Sequence, residues 1–364
     1  MGQLWGNVTE AEAQSGMTSS ERFLGALCRS SFLRLWSYQN LYTDRGVTSK
    51  NRNGKELSDL LVVFENRILI FSDKSCQMPN TGNLKLDWSR WYKRAIKESA
   101  KQVFGAERWL NEFPNRIFLN SACTKKIPFE LPDKQSRSVH RIVVAMGAGD
   151  RIVNHFKGGR GSMILASSLA GDDHLESEPF GPFHIGQVDP SKGFIHVFDD
   201  VTLGLVLNEL DTITDFVEYI DAKEALFAKR PHIICTGEEE LLGTYLSSLD
   251  ETGKYNLNFP GNGDEAILIS EGMWDEYLES PIAQLRSETR QISKFVDMLI
   301  EHFTGHIMEG TLAYGGKDFQ THERNLRAFA AEPRTHRATL AFAIIDKVKN
   351  SYANRRSGIV LTSY

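Results

Sequence analysis

Cysteine is scarce and scattered: the 364 residues hold four, Cys28, Cys76, Cys123 and Cys235, with no paired spacing. Neither a disulfide framework nor a cysteine zinc site fits that pattern, and a reducing cytoplasm is the expected address. Long apolar runs are missing as well. The runs 60–64 and 68–71 fall far short of the ~18–20 residues of a membrane-spanning helix, so no span is expected. The first twenty residues lack the charged start and apolar stretch of a secretory signal, and none is expected. Several catalytic signatures are absent. There is no serine nucleophile elbow, and Gly147-Ala-Gly149 lacks the third glycine of a dinucleotide loop. Gly158-Gly-Arg-Gly161 lacks the lysine and hydroxyl of a P-loop. His302 and His306 stand four apart without the glutamate of a zinc-protease helix.

What is present is an ordinary globular composition, 41% hydrophobic and 24% charged, which excludes a fibrous or wholly disordered chain. The net charge of -5 conceals an asymmetry. Residues 1–130 carry 19 basic and 13 acidic side chains, whereas 171–280 carry 5 and 24. The front is suited to meet a polyanion and the middle to repel one, or to dock on the front itself.

Thr18-Ser-Ser-Glu21 has capping-box spacing and opens an amphipathic helix through Leu35 and Trp36. Residues 59–64 and 68–71 are short β-branched runs around Glu65-Asn66-Arg67, which predicts a hairpin. Their continuous apolarity predicts strands covered on both faces. Asp87 is the expected N-cap of a helix to about residue 110, with Trp88, Tyr92, Ile96 and Val103 on its apolar side. On the other side Arg90, Lys93, Arg94, Lys97 and Lys101 form a basic stripe suited to phosphates. Further strands are expected at 116–119, 139–146 and 163–166. A linker is expected at 170–193, then a strand at 194–198 and an Asp199-Asp200 helix cap. Helices at 203–210 and 213–227, a strand at 232–235 and helices at 280–303 and 338–353 complete the pattern.

The informative block runs from Gly54 to Lys74. Phosphodiester hydrolysis near neutral pH calls for hard divalent ions on carboxylate oxygens and a cation beside the attacking water. Glu56, Asp59 and Asp73 are the candidate oxygen donors for Mg²⁺ or Mn²⁺, and Lys74 the candidate cation. An acid entering a strand, a short hairpin, and a lysine closing the next strand resembles the PD-(D/E)xK nuclease superfamily. Asp59 matches its first acid, Lys74 its lysine, Glu56 an extra upstream acid, and Gln102 the helix glutamine of RecB-like members, whose usual tyrosine is absent. Aligned on Lys74, the second acid position holds Ser72. Strand alternation turns Ser72 and Lys74 to one face and Asp73 to the other unless a bulge intervenes.

The resemblance covers roughly residues 20–150. It implies a mixed β-sheet sandwiched by helices, in the restriction-endonuclease manner, and the order of elements ends that α/β domain, 20–170, near residue 170. A flexible tail (1–19) precedes it and an acidic α/β region with C-terminal helices (171–364) follows. It also implies a metal-dependent nuclease acting on nucleic acid, DNA before RNA, in bacterial antiviral defence or repair. The alternative is a noncatalytic interaction protein with a degenerate nuclease fold, recruiting a protein partner through acidic 171–280.

Overall fold

A computed structural model describes residues 19–353 apart from 49, 177, 262 and 313–317. The tail expected at 1–19 therefore falls outside the described residues but for Ser19, as does Thr18 of the capping box. Helix α1 (Ser19–Phe32) ends four residues earlier than its apolar spacing suggests. Leu33 takes a left-handed φ of 64°, which ends the helix. Leu35 and Trp36 are buried beyond that break.

Strand β1 (Ser37–Thr43) comes next, then β2 (Lys55–Phe64) and β3 (Arg67–Ser75), an antiparallel meander. The hairpin is the one expected, with Phe64 paired to Arg67 across Glu65-Asn66. Both faces of this sheet are covered, which is why β2 and β3 read as unbroken apolar runs. On one face Phe32 of α1 packs against Phe71, ring centroids 6.2 Å apart. On the other lies a long helical segment in three pieces: α2 (Leu84–Tyr92), a π-helical turn (Lys93–Lys97) and α3 (Glu98–Glu112). Asn83 caps it, accepting from the Leu86 amide at 3.1 Å. Asp87 is not the cap: it is buried in the first turn, where it holds the Thr81 amide and hydroxyl at 3.0 and 2.7 Å.

The short β4 (Ile117–Phe118) flanks β1, and β5 (Ser138–Met146) returns parallel to β3 after the helical crossover. Helix α4 (Gly149–Phe156), β6 (Ile164–Ala170) and β7 (His184–Gln187) lead to β8 (Ile195–Phe198), parallel to β5. The first sheet thus runs β4-β1-β2-β3-β5-β8. Its last strand comes from beyond residue 170, so the chain does not part there into two separate sheets.

The second sheet, β10-β9-β6-β7, uses β9 (Ile233–Cys235) and β10 (Ile267–Ile269). The stretch expected as a linker is structured. Trp88 Nε1 donates to the His174 carbonyl at 2.7 Å, and His174 Nε2 accepts from the Gly186 amide at 3.0 Å. Its glycines serve tight turns instead of slack, as at Gly171 and Gly181, where φ is 57° and 75°.

Helices α5 (Thr202–Glu209), α6 (Ile213–Lys229), α7 (Glu238–Ser247) and α8 (Met273–Glu279) pack around the sheets. The C-terminal layer is α9 (Pro281–Glu309), α10 (Phe319–Ala330) and α11 (Arg334–Ala353). Arg334 ties this layer to the rest, bonding Asp211 at 2.8 Å and Asp297 at 2.6 Å. The acidic middle does meet the front: Lys97 pairs with Asp172 at 2.5 Å, Lys85 with Glu176 at 3.4 Å and Arg67 with Asp221 at 3.0 Å. No helix among the described residues is long and apolar enough to cross a membrane.

Candidate nucleic-acid and metal site

The β2–β3 ladder stops at the pair Leu60 and Phe71, and the two strands part beyond it. Asp59 enters the gap. Its Oδ2 accepts from the Asp73 amide at 2.6 Å, standing in for the ladder bond that the parted strands no longer make. Burial raises the Asp59 carboxyl to about 7; the Asp73 amide draws it down, while the charges of Glu56, Asp73 and Glu21 raise it further.

Asp73 lies on the α1 face of β3. Burial raises it and the Ser20 hydroxyl lowers it, while Glu21 pushes it up and Lys74 draws it down. Glu56 is raised by burial and then by Glu21. Ser72 points to the opposite face, where it is buried and donates to Gln102 Oε1 at 3.0 Å. Strand alternation therefore holds at the end of β3, and no bulge turns Asp73 toward Lys74.

Beside the gap, between the ends of β1 to β3 and helix α3, runs an open groove of about 490 Å³. Arg45, Lys55, Glu56, Lys74, Lys101 and Gln102 line it. The groove thus unites four residues that the sequence singled out, Glu56, Lys74, Lys101 and Gln102. Asp59 and Asp73 are not among the residues that line it. Arg90, Lys93, Arg94 and Lys97 do not line it. The π-helical turn inserts a wider turn between Arg90 and Lys101, so the basic positions fail to form one continuous stripe. Lys97 is engaged by Asp172, and Lys101 by Glu98 at 2.5 Å.

Arg45 and Lys55 were missed by sequence reasoning. Lys55 adjoins Glu56, which was its one available signal; Arg45 lies in a polar stretch whose place in the fold only the sheet reveals.

The donor chemistry fits a hard cation. Asp59, Glu56 and Asp73 offer only oxygen, and their mutual repulsion is what a divalent ion would relieve. Asp59 and Glu56 are the residues that would hold it. Asp73 is turned to Ser20, and among the described residues these three carboxylates do not gather within 4.8 Å of one another; His140, His196 and Glu224 do.

Two weaker sequence features resolve otherwise. The amides of Gly147, Ala148 and Gly149 converge on Asp200, at 2.8 to 3.1 Å, so this loop is filled by the chain's own carboxylate. A Cβ at Gly147, whose φ is 106°, would lie 2.2 Å from the Cys76 carbonyl, so only glycine fits. Asp199 caps α5 as expected, accepting from the Val201 and Thr202 amides at 3.1 Å.

Fold and site together define a mixed α/β protein with a basic groove beside an acidic hairpin gap. No family model, no curated protein and no solved structure matches the chain.

Proposed function

We propose that this chain binds nucleic acid in the groove beside α3 and hydrolyses phosphodiester bonds there with Mg²⁺ or Mn²⁺. The observation that carries the reading is Asp59 in the opened hairpin, next to Glu56 and a groove holding Arg45, Lys55, Lys74 and Lys101. The mixed sheet with helices on both faces supports the reading, since the PD-(D/E)xK resemblance implies such a sheet. DNA is the preferred polymer, and bacterial defence or repair the setting, on that resemblance.

A divalent ion bound at Asp59 and Glu56 would supply Lewis-acid polarisation of a phosphoryl oxygen and a more acidic water. The chain's own residues do the rest. Arg45, Lys55 and Lys101 neutralise successive phosphates without reading bases, which makes affinity salt-sensitive. Lys74 sets an ammonium group beside the attacked phosphorus, where it orients water and stabilises developing charge. Gln102 positions the strand from the wall of the groove, while its carbonyl anchors Ser72.

A second reading, a noncatalytic binding protein whose acidic 171–280 surface recruits a partner, is favoured by one observation. Ser72 occupies the second acid position and is tied to Gln102, leaving Asp73 on the other face.

Plasmid incubated with protein and Mg²⁺ or Mn²⁺ separates the two. Metal-dependent nicking by the native chain, lost in Asp59→Ala and Lys74→Ala, supports the nuclease. Salt-sensitive binding with no nicking supports the second reading, and nicking indifferent to both substitutions sinks the first.

A further inference from the structure

On the α1 and α6 face of the first sheet, toward the opposite end from the hairpin gap, two histidines stand on neighbouring parallel strands. His140 lies on β5 and His196 on β8, and the register pairing Ile142 with His196 turns both side chains to the same face. Helix α6 crosses above them and brings Glu224 and Asp221, three residues apart and so on one side of the helix. One ligand-type atom from each of His140, His196 and Glu224 lies within 4.8 Å of the other two. His196 Nε2 stands 3.7 Å from Glu224 Oε2, and His140 Nε2 the same distance from Asp221 Oδ1.

The histidines are buried, His196 completely and His140 to all but 4%. Neither ring nitrogen of His196 has a hydrogen-bond partner, nor has His140 Nδ1. Native interiors seldom leave imidazole nitrogens unmatched. Arg67 Nη1 stands 3.5 Å from His140 Nε2 and also pairs with Asp221, while Arg141 pairs with Glu107 and Lys223 with Glu238.

We infer that His140, His196 and Glu224 form a site for a borderline transition-metal dication, Zn²⁺ foremost, that joins β5, β8 and α6. Two imidazoles and a carboxylate are a common zinc donor set, with ligand atoms about 2.0–2.2 Å from the ion. Such ligands stand about 3.4 Å apart around a tetrahedral ion, so the 3.7 Å from His196 to Glu224 needs only a small closure. The Glu224 carboxylate, 41% exposed, is the route of entry. Asp221 sits where a carboxylate behind a metal-bound histidine fixes its ring. This ion is separate from any ion at Asp59.

Full-length protein freed of any affinity tag, stripped with chelator and titrated with ZnCl₂ or CoCl₂, tests this. Expected are one equivalent bound, visible d–d absorption of the cobalt form, and a melting temperature that rises with zinc. Glu224→Gln, at a partly exposed position, is expected to weaken zinc binding at least tenfold, and His196→Asn to abolish it. His302→Ala, on the separate histidine pair of α9, is expected to leave binding unchanged. Failure of the native protein to bind zinc or cobalt, or binding that persists in both Glu224→Gln and His196→Asn, overturns the site. Loss of binding in His302→Ala alone does so too.

Discussion

Asp59 carries the sharpest electrostatic conflict in the candidate site. A carboxyl whose folded value, about 7, lies above its ordinary 3.8 holds its proton more tightly in the fold than in the unfolded chain. Its stabilising contribution is complete in acid, declines as the pH climbs from about 4, and is gone above about 7. Ionised Asp59 therefore burdens the metal-free protein in alkali. Asp59→Asn, which keeps an acceptor for the Asp73 amide, is expected to raise the melting temperature at pH 8 by about 2–5 °C and to change little at pH 4. Melts in chelator at both pH values check this; equal effects at the two would refute it. The facing of Ser72 and Asp73 was legible in the sequence because alternation along a strand is a local rule. Their partners, Gln102 and Ser20, were not paired from the sequence, because those contacts depend on which helix covers which face.

At the scale of the element, the helical segment from Leu84 to Glu112 separates two groups of cations. The residues before the π-helical turn stand away from the groove, whereas Lys101 and Gln102 line it together with Lys55 from β2. Charge reversal at Lys55 or Lys101 is expected to weaken DNA binding about tenfold at low salt. Arg90→Glu is expected to weaken it several-fold less. Fluorescence anisotropy across a salt series reads both, and an equal loss at Arg90 would mean that the whole helix is the contact. A basic stripe at helical spacing was visible in the sequence. The wide turn that breaks it was not, since nothing in Lys93-Arg-Ala-Ile-Lys97 marks a π-helix.

For the whole molecule, the decisive feature is the return of the chain to its first sheet. β8 pairs with β5, and Phe216 of α6 packs on Phe32 of α1 at 5.3 Å between ring centroids. A chain ending at residue 170 would lose that strand and the cover on the α1 face. It is expected to lack a cooperative thermal transition and near-ultraviolet dichroism, while the full chain melts as one body. A sharp transition in the shortened chain would restore the division near residue 170 expected from the order of elements. The sequence by itself determined the hairpin, most of the long helices and the alternation that sends Asp73 away from Lys74, because each follows from periodicity over a few residues. Only the tertiary structure decided that β8 completes the first sheet, that Arg45 and Lys55 join Lys74 in one groove, and that His140 meets His196. Those pairings join residues far apart along the chain, and what selects them is the closing of a shared core and the burial of two sheet faces, not any local pattern.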